Sequence, residues 1–105
     1  MTSRSFDLPA EEVGQFCRKW RIVQLSLFGS ALRDDFGPGS DLDCLVAFSP
    51  EATWSLLDHV RMENELAIIV GRDVDLISRS AVEHSHNWIR RKAILESARV
   101  VYEAR

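Results

Sequence analysis

The order of apolar and polar positions along the chain predicts alternating helices and strands. Residues 8–20 carry Pro9 and two acids in a first turn, which is typical of a helix start. A largely apolar run over residues 22–28 predicts a buried strand, and a second strand is expected over residues 41–48. Between these strands, the glycines and proline of residues 36–40 break any helix.

The second half of the chain continues the alternation. The pattern predicts a long helix over residues 51–70 ended by Gly71, a strand over 72–77, a mostly helical segment over 80–98 and an extended segment over 100–102. This order predicts an α+β fold in which helices pack on a small mixed β-sheet. A chain of 105 residues is expected to form one domain, residues 1–105, with a single modest core.

Two acids interrupt the second predicted strand. Asp41 and Asp43 are two residues apart, so in a strand they point to the same face roughly 7 Å apart and repel each other. A third acid, Asp75, stands in the apolar run Val74-Asp75-Leu76, and Asp73 is its rival because it shares the same strand parity. Oxygen ligands without a Cys or His cluster suit a hard divalent cation such as Mg²⁺, which keeps positions for water and substrate phosphates.

A Gly-Ser pair follows the first strand. Gly29 allows close backbone approach, the hydroxyl of Ser30 can donate a hydrogen bond, and a short helix starting at Ala31 would offer N–H groups to an anion. The pattern of strand, Gly-Ser, helix start and acidic strand therefore predicts a phosphate cradle facing a metal site.

These motifs resemble a known family. The sequence Leu27-Phe28-Gly29-Ser30, the ten residues that separate it from Asp41-Leu42-Asp43, and the segment of residues 71–77 are similar to the minimal nucleotidyltransferases. These proteins belong to the DNA polymerase β-like nucleotidyltransferase superfamily and are commonly the antitoxin half of HEPN toxin–antitoxin pairs. The resemblance covers about residues 23–102 and implies the nucleotidyltransferase fold.

The resemblance also implies roles for individual residues. Asp41 and Asp43 would hold two Mg²⁺ ions, and Asp75 would complete the second metal site and help to deprotonate the attacking hydroxyl. The family's Val-Asp-Leu pattern favours Asp75 over Asp73. Gly29 and Ser30 would orient the phosphates of ATP, the substrate.

One position departs from the family pattern. Many relatives carry a basic residue directly after the serine, whereas this chain has Ala31. Arg33 is therefore the nearest basic candidate for a triphosphate contact, and Arg72 is a weaker one. An ordinary surface pairing of Arg33 with a neighbouring aspartate stays open as the alternative.

The implied function is that of an antitoxin in a type VII-like HEPN/MNT toxin–antitoxin system. The chain has no room for an acceptor-binding domain, so the acceptor is expected to dock from outside. By resemblance, AMP from ATP would be transferred to a hydroxyl on a HEPN-domain toxin, and a tyrosine is the expected acceptor. Two alternatives remain: an antitoxin that neutralises its partner by binding alone, which Ala31 favours, and nucleotidyl transfer to a small molecule.

Charge and cysteine content indicate which partners and which cellular location to expect. The formal net charge of −3 predicts no direct nucleic-acid binding, and the basic cluster of residues 90–92 is interpreted as a solvated helix face, with a partner or phosphate contact as the alternative. No signal sequence or membrane span is recognisable. Cys17 and Cys44 form neither a disulfide framework nor a zinc pattern, so we expect a reducing, cytoplasmic location, with Cys44 in the core.

The histidines and tryptophans give weaker evidence about metal binding and protein interfaces. His59, His84 and His86 are expected at surface or capping positions rather than in a metal site. Trp20, Trp54 and Trp88 are core residues by default, but either Trp54 or Trp88 is a candidate anchor at a protein interface. A homo- or hetero-oligomer is compatible with this pattern.

Overall fold

Four strands and four helices make up the part of the chain that the computed structural model describes, residues 8–29 and 41–104. The elements in chain order are α1 (Ala10–Lys19), β1 (Ile22–Phe28), β2 (Leu42–Phe48), α2 (Leu56–Val70), β3 (Val74–Ser78), α3 (Arg79–Glu83), α4 (Trp88–Ser97) and β4 (Arg99–Glu103). No helix in these two ranges combines the length and apolar character needed to cross a bilayer.

The strands form one sheet in the order β3-β2-β1-β4. The central strand β1 is antiparallel to both β2 and β4, whereas β2 and β3 run parallel. The predicted α+β fold with a small mixed sheet is therefore confirmed. Within the described ranges β3 is an edge strand, so β2 is its only strand neighbour.

Each face of the sheet has its own apolar cluster, because successive residues of a strand point to opposite faces. Helices α1 and α2 cover one face, where Cys44 packs with Phe16, Met62 and Leu66. On the other face, Leu45 packs with Phe28 of β1, Val82 of α3 and Ile94 of α4. Asp43 has the strand parity of Leu45 and therefore belongs to the face of α3 and α4.

The start predicted for the long helix is wrong by several residues. Helix α2 begins at Leu56 because Ser55 caps it: the Ser55 hydroxyl accepts a hydrogen bond from the Asp58 N–H at 3.2 Å. Asp58 Oδ2 in turn accepts from the Ser55 N–H at 3.0 Å, which completes a capping box. The helix ends at Gly71, as predicted, and Gly71 adopts the left-handed conformation.

The predicted helical segment over residues 80–98 consists of two helices. Helix α3 ends at Glu83, and Asn87 starts α4 by accepting a hydrogen bond from the Arg90 N–H at 3.1 Å. His84 is the C-cap residue of α3, in agreement with the capping position expected for it, and its Nδ1 lies 2.8 Å from the Ser80 carbonyl. The extended segment expected after α4 is confirmed as β4.

The tryptophans divide between the core and the surface. Trp54 donates its indole N–H to the Trp20 carbonyl at 3.0 Å, and the two rings meet edge to face with centroids 5.2 Å apart. Trp54 is therefore a partly buried residue that packs against the core. Trp88 is 60% exposed and remains the candidate.

Both cysteines are buried free thiols. Cys44 is a core residue, as predicted, and burial is the main reason why its pKa is raised above the ordinary thiol value. Burial likewise raises the pKa of Cys17 to about 12, against a smaller opposing effect of Arg18. Neither thiol is therefore available as a nucleophile or metal ligand near neutral pH.

Candidate active site

Two of the predicted acids are brought side by side by the sheet. Asp43 of β2 and Asp75 of β3 are register partners in the parallel pair. Register partners lie on neighbouring strands about 4.8 Å apart and direct their side chains to the same face. Asp43 is half-buried and Asp75 is exposed, so the pair opens to solvent at the start of both strands.

The end of β1 lies beside Asp43. Phe28 is the register partner of Asp43, and Gly29 follows it with a φ of +68°, in the left-handed region that favours glycine. A Cβ placed on Gly29 would lie 2.6 Å from Asp43 Oδ2, closer than real Cβ contacts. A side chain at position 29 would therefore fill the space that the Asp43 carboxylate uses.

Asp41 and Asp73 lie just before these strands. Asp41 directly precedes β2, and both carboxylates are exposed. The Asp73 carbonyl accepts a hydrogen bond from the Leu42 N–H at 2.9 Å. This bond connects the first residue of β2 to the residue that precedes β3. The register nevertheless sets Asp75 rather than Asp73 beside Asp43.

The acidic pair creates a negative field on the sheet. After burial, the charges of Asp43 and then Asp75 are the main reasons why the pKa of Cys44 is raised. Two carboxylates this close repel each other, and a cation between them would remove the repulsion. The pair is therefore suited to bind a positively charged ligand.

The carboxylate oxygens of these acids suit a hard cation, whose remaining coordination positions can be filled by substrate oxygens. No group of three or more His, Cys, Asp or Glu side chains in residues 8–29 and 41–104 is arranged to hold a metal by itself. The site formed by Asp41, Asp43 and Asp75 stays a prediction, within which the sheet register makes Asp43 and Asp75 neighbours. Mg²⁺ commonly uses one or two carboxylates together with substrate phosphates, so this donor set fits it.

Two predicted nucleotide-binding residues, Ser30 and Arg33, lie outside the described residues. Of the set predicted for phosphates, the structure places Gly29 beside Asp43. Arg72, the weaker basic candidate, is half-buried and lies between Gly71 and β3.

Two residues of α2 hold β3 and were missed as contributors to the site. His59 Nε2 lies 2.8 Å from the Leu76 carbonyl, and Glu63 Oε2 accepts a hydrogen bond from the Leu76 N–H at 2.9 Å. Since a carbonyl only accepts, Nε2 of His59 carries the proton. The spacing of His59 and Glu63, one helical turn apart, was the signal available in the sequence.

Comparison with known sequences places the chain in a family. Residues 12–101 match the family described as a nucleotidyltransferase domain. "Putative protein adenylyltransferase MJ1217" of Methanocaldococcus jannaschii is 32% identical over 78 residues, which cover 74% of each chain. MJ0435 of the same organism, which bears the same kind of name, is 36% identical over 64 residues, covering 61% of this chain and 67% of its own length.

Solved structures agree with the fold. The one described as "Structure of putative minimal nucleotidyltransferase" shares 33% identity and a TM-score of 0.65, with 86% of each chain covered. A toxin–antitoxin crystal structure with AMP-PNP superimposes with a TM-score of 0.69 at 17% identity, covering 93% of this chain and 76% of the other. A tri-AMPylated Shewanella oneidensis HEPN toxin in complex with MNT antitoxin gives a TM-score of 0.61 at 16% identity, covering 90% and 70%.

The matched residues contain the whole described site. Gly29, Asp43 and Asp75 all lie between residues 12 and 101, on the strands that the sheet register brings together or directly after them. The sequence match and the fold lead to one conclusion: this chain belongs to the nucleotidyltransferase domain family and is a nucleotidyltransferase.

Proposed function

We propose that this nucleotidyltransferase is a magnesium-dependent antitoxin that transfers AMP from ATP to a hydroxyl, that of a tyrosine, on a HEPN-domain toxin. The observation that carries the proposal is the pairing of Asp43 with Asp75 beside the side-chain-free Gly29. The name of the relative MJ1217 and the description of the AMPylated HEPN toxin complex support the choice of reaction and partner.

The acids have two tasks in this reaction. Asp41, Asp43 and Asp75 would hold Mg²⁺, which when bound neutralises the charge of the triphosphate. Asp75 accepts the proton of the acceptor hydroxyl, whose oxygen then attacks the α-phosphorus of ATP. The new oxygen–phosphorus bond forms as the bond to the bridging oxygen of the β-phosphate breaks, and pyrophosphate leaves.

Gly29 provides room for the nucleotide. With no side chain at this position, the Asp43 carboxylate keeps its place. A glycine backbone would also allow a phosphate to approach closely. Ser30 and Arg33 complete the proposed phosphate contacts. The catalytic contribution is positioning and charge neutralisation, because the protein itself forms no covalent intermediate.

The toxin would dock on an exposed apolar surface. Trp88 and Ile89 open α4 and are 60% and 64% exposed. They follow α3 on the sheet face that carries Asp43, so a partner bound there would stand on the side of the catalytic acids. Exposed tryptophan next to isoleucine is typical of an interface anchor. Adding AMP to the docked toxin would place negative charge and bulk near its active site.

Intact-mass analysis tests the proposal. The chain is co-expressed with its cognate HEPN-domain toxin, and the toxin's mass is expected to rise by whole AMP units. Asp43→Asn should abolish the increase, and Asp73→Asn serves as the matched control that retains it.

Two results would contradict the proposal. An unchanged toxin mass, together with an Asp43→Ala variant that still protects cells, would establish neutralisation by binding alone. AMP transfer to a small molecule such as an aminoglycoside in the absence of any protein partner would establish a different acceptor.

A further inference from the structure

In the part of the chain that the structure describes, side chains instead of a strand cover the outer edge of β3. An edge strand presents N–H and C=O groups that have no neighbour in the sheet. At Leu76 both groups are satisfied: Glu63 Oε2 accepts from the N–H at 2.9 Å, and His59 donates to the carbonyl at 2.8 Å. Glu63 and His59 thus replace the two bonds that a further strand would make to Leu76.

The same residues are held together on α2. His59 Nε2 and Glu63 Oε2 are 3.6 Å apart, one helical turn from each other. Both side chains are largely covered, with about a quarter to a third of their surface exposed, so competition from water is reduced. The neighbouring residues Met62 and Leu66 are buried in the core, which fixes the helix against the sheet.

This contact lies next to a catalytic acid. Leu76 directly follows Asp75, and its side chain is buried in the core on the opposite face from Asp75. Just before β3, the Asp73 carbonyl accepts a hydrogen bond from the Leu42 N–H of β2. The backbone that carries Asp75 is therefore held by β2 on one side and by α2 on the other.

We infer that His59 and Glu63 are positioning residues that keep Asp75 in register with Asp43. A strand with a single strand neighbour is open to slippage, and a shift by one residue would turn Asp75 to the opposite face. The bonds to Leu76 oppose that shift at the adjacent peptide groups. This role rests on the proposed function only in so far as Asp75 acts on the acceptor hydroxyl.

Substitutions at Glu63 separate positioning from general stability. Glu63→Ala leaves the Leu76 N–H without its acceptor, whereas Glu63→Gln retains an oxygen that can accept the same bond. At the other group, His59→Ala removes the donor and His59→Gln supplies an amide N–H in its place. Asn64→Ala, at an exposed position on the same helix, is the matched control.

The first measurement needs no substrate. In amide hydrogen exchange, Glu63→Ala should speed exchange at Leu76 by about tenfold or more, the factor expected for losing a bond to a charged acceptor. Glu63→Gln and Asn64→Ala should leave protection at Leu76 near that of the parent protein. Unchanged protection in Glu63→Ala would overturn the inference, whatever reaction the protein catalyses.

The second measurement is nucleotidyl transfer. Glu63→Ala and His59→Ala should lower kcat by about 10-fold to 100-fold with little change in KM for ATP, and the glutamine variants should recover most of it. A loss of thermal stability with unchanged kcat of the folded protein would show a merely structural role. If the parent protein shows no transfer at all, the proposed function fails. The exchange measurement would still show whether Glu63 protects the Leu76 N–H.

Discussion

The carboxylate of Asp43 occupies the space into which a side chain on Gly29 would grow. A Cβ at position 29 would lie 2.6 Å from Asp43 Oδ2, and Gly29 has a φ of +68° that disfavours any other residue. The glycine of the Gly-Ser motif thus leaves space for the carboxylate of the neighbouring acidic strand.

Gly29→Ala should therefore lose both stability and activity. The left-handed backbone costs about 1–2 kcal/mol for a residue with a Cβ, and the clash displaces the Asp43 carboxylate as well. Gly71→Ala is the control, because Gly71 has a φ of +78° but no atom within 4 Å of the position that a Cβ would take. Urea unfolding and nucleotidyl transfer measure the two effects. Equal activity in both variants would contradict the role given to Gly29.

Asp75→Asn should abolish transfer without unfolding the protein. Removing the proton acceptor is expected to lower kcat by about 10²–10⁴-fold. Because the charge of Asp75 faces that of Asp43, its loss should leave the free energy of unfolding unchanged or slightly higher. Asp73→Asn, two residues earlier and outside the strand, is expected to keep most activity. Loss of transfer in Asp73→Asn alone would reverse the assignment of the third acid.

Trp54→Phe should weaken the fold by about 1 kcal/mol. The substitution keeps an aromatic ring against Trp20 but removes the indole N–H that donates to the Trp20 carbonyl at 3.0 Å. Chemical unfolding monitored by circular dichroism measures the change. A free energy of unfolding equal to that of the parent protein would show that this hydrogen bond contributes nothing.

Trp88→Ala should weaken partner binding and leave stability almost unchanged. The side chain is 60% exposed, so we expect stability to change by less than about 0.5 kcal/mol. Binding to the toxin should weaken by about 2 kcal/mol or more if Trp88 is an interface anchor. Calorimetric titration with the toxin provides the measurement. If the Trp88→Ala variant binds with full affinity, the docking surface does not include the start of α4.

Glu65 should make stability depend on pH in the acid range. Burial raises the pKa of Glu65, but hydrogen bonds from Lys19 Nζ at 2.7 Å and Trp20 Nε1 at 2.8 Å outweigh it, so the pKa is lowered from 4.5. A lowered pKa in the folded state means that the contribution is present above pH 4.5 and is lost as pH falls below it.

Glu65→Gln should therefore reduce this acid sensitivity. Urea unfolding at neutral pH and at about pH 3.5 is expected to show a smaller drop in the variant than in the parent protein. Glu96→Gln, an exposed glutamate of α4, is the matched control and should leave the drop unchanged. Parallel pH profiles for the parent protein and Glu65→Gln would contradict the role of the two hydrogen bonds.

Local patterns predicted much of the fold. The strand Ile22–Phe28 was predicted with its observed bounds, since apolar composition and the following glycine mark both ends. The start of α2 was missed because Pro50 and Glu51 look like a first turn, whereas Ser55 and Asp58 cap each other and Trp54 turns back onto Trp20. That choice depends on a tertiary contact between residues 34 positions apart in sequence.

The candidate site was predictable in part. Spacing indicated Asp43 and Asp75 as acids of strands, but only the parallel register makes them neighbours. The support from His59 and Glu63 was missed because each residue, taken alone, is an ordinary polar position on a helix. The role inferred for them depends on β3 being an edge strand within the described ranges, and strand order cannot be read from local composition.

The two thiols buried in the core have a practical consequence for spectroscopy. Cys17 and Cys44 are shielded from reagents and hold their protons strongly, and the sequence contains no other cysteine. A single cysteine introduced at an exposed position, such as Asn64, would react selectively with a maleimide dye while the native thiols stay silent. Fluorescent labelling at such a position therefore needs no cysteine-free background.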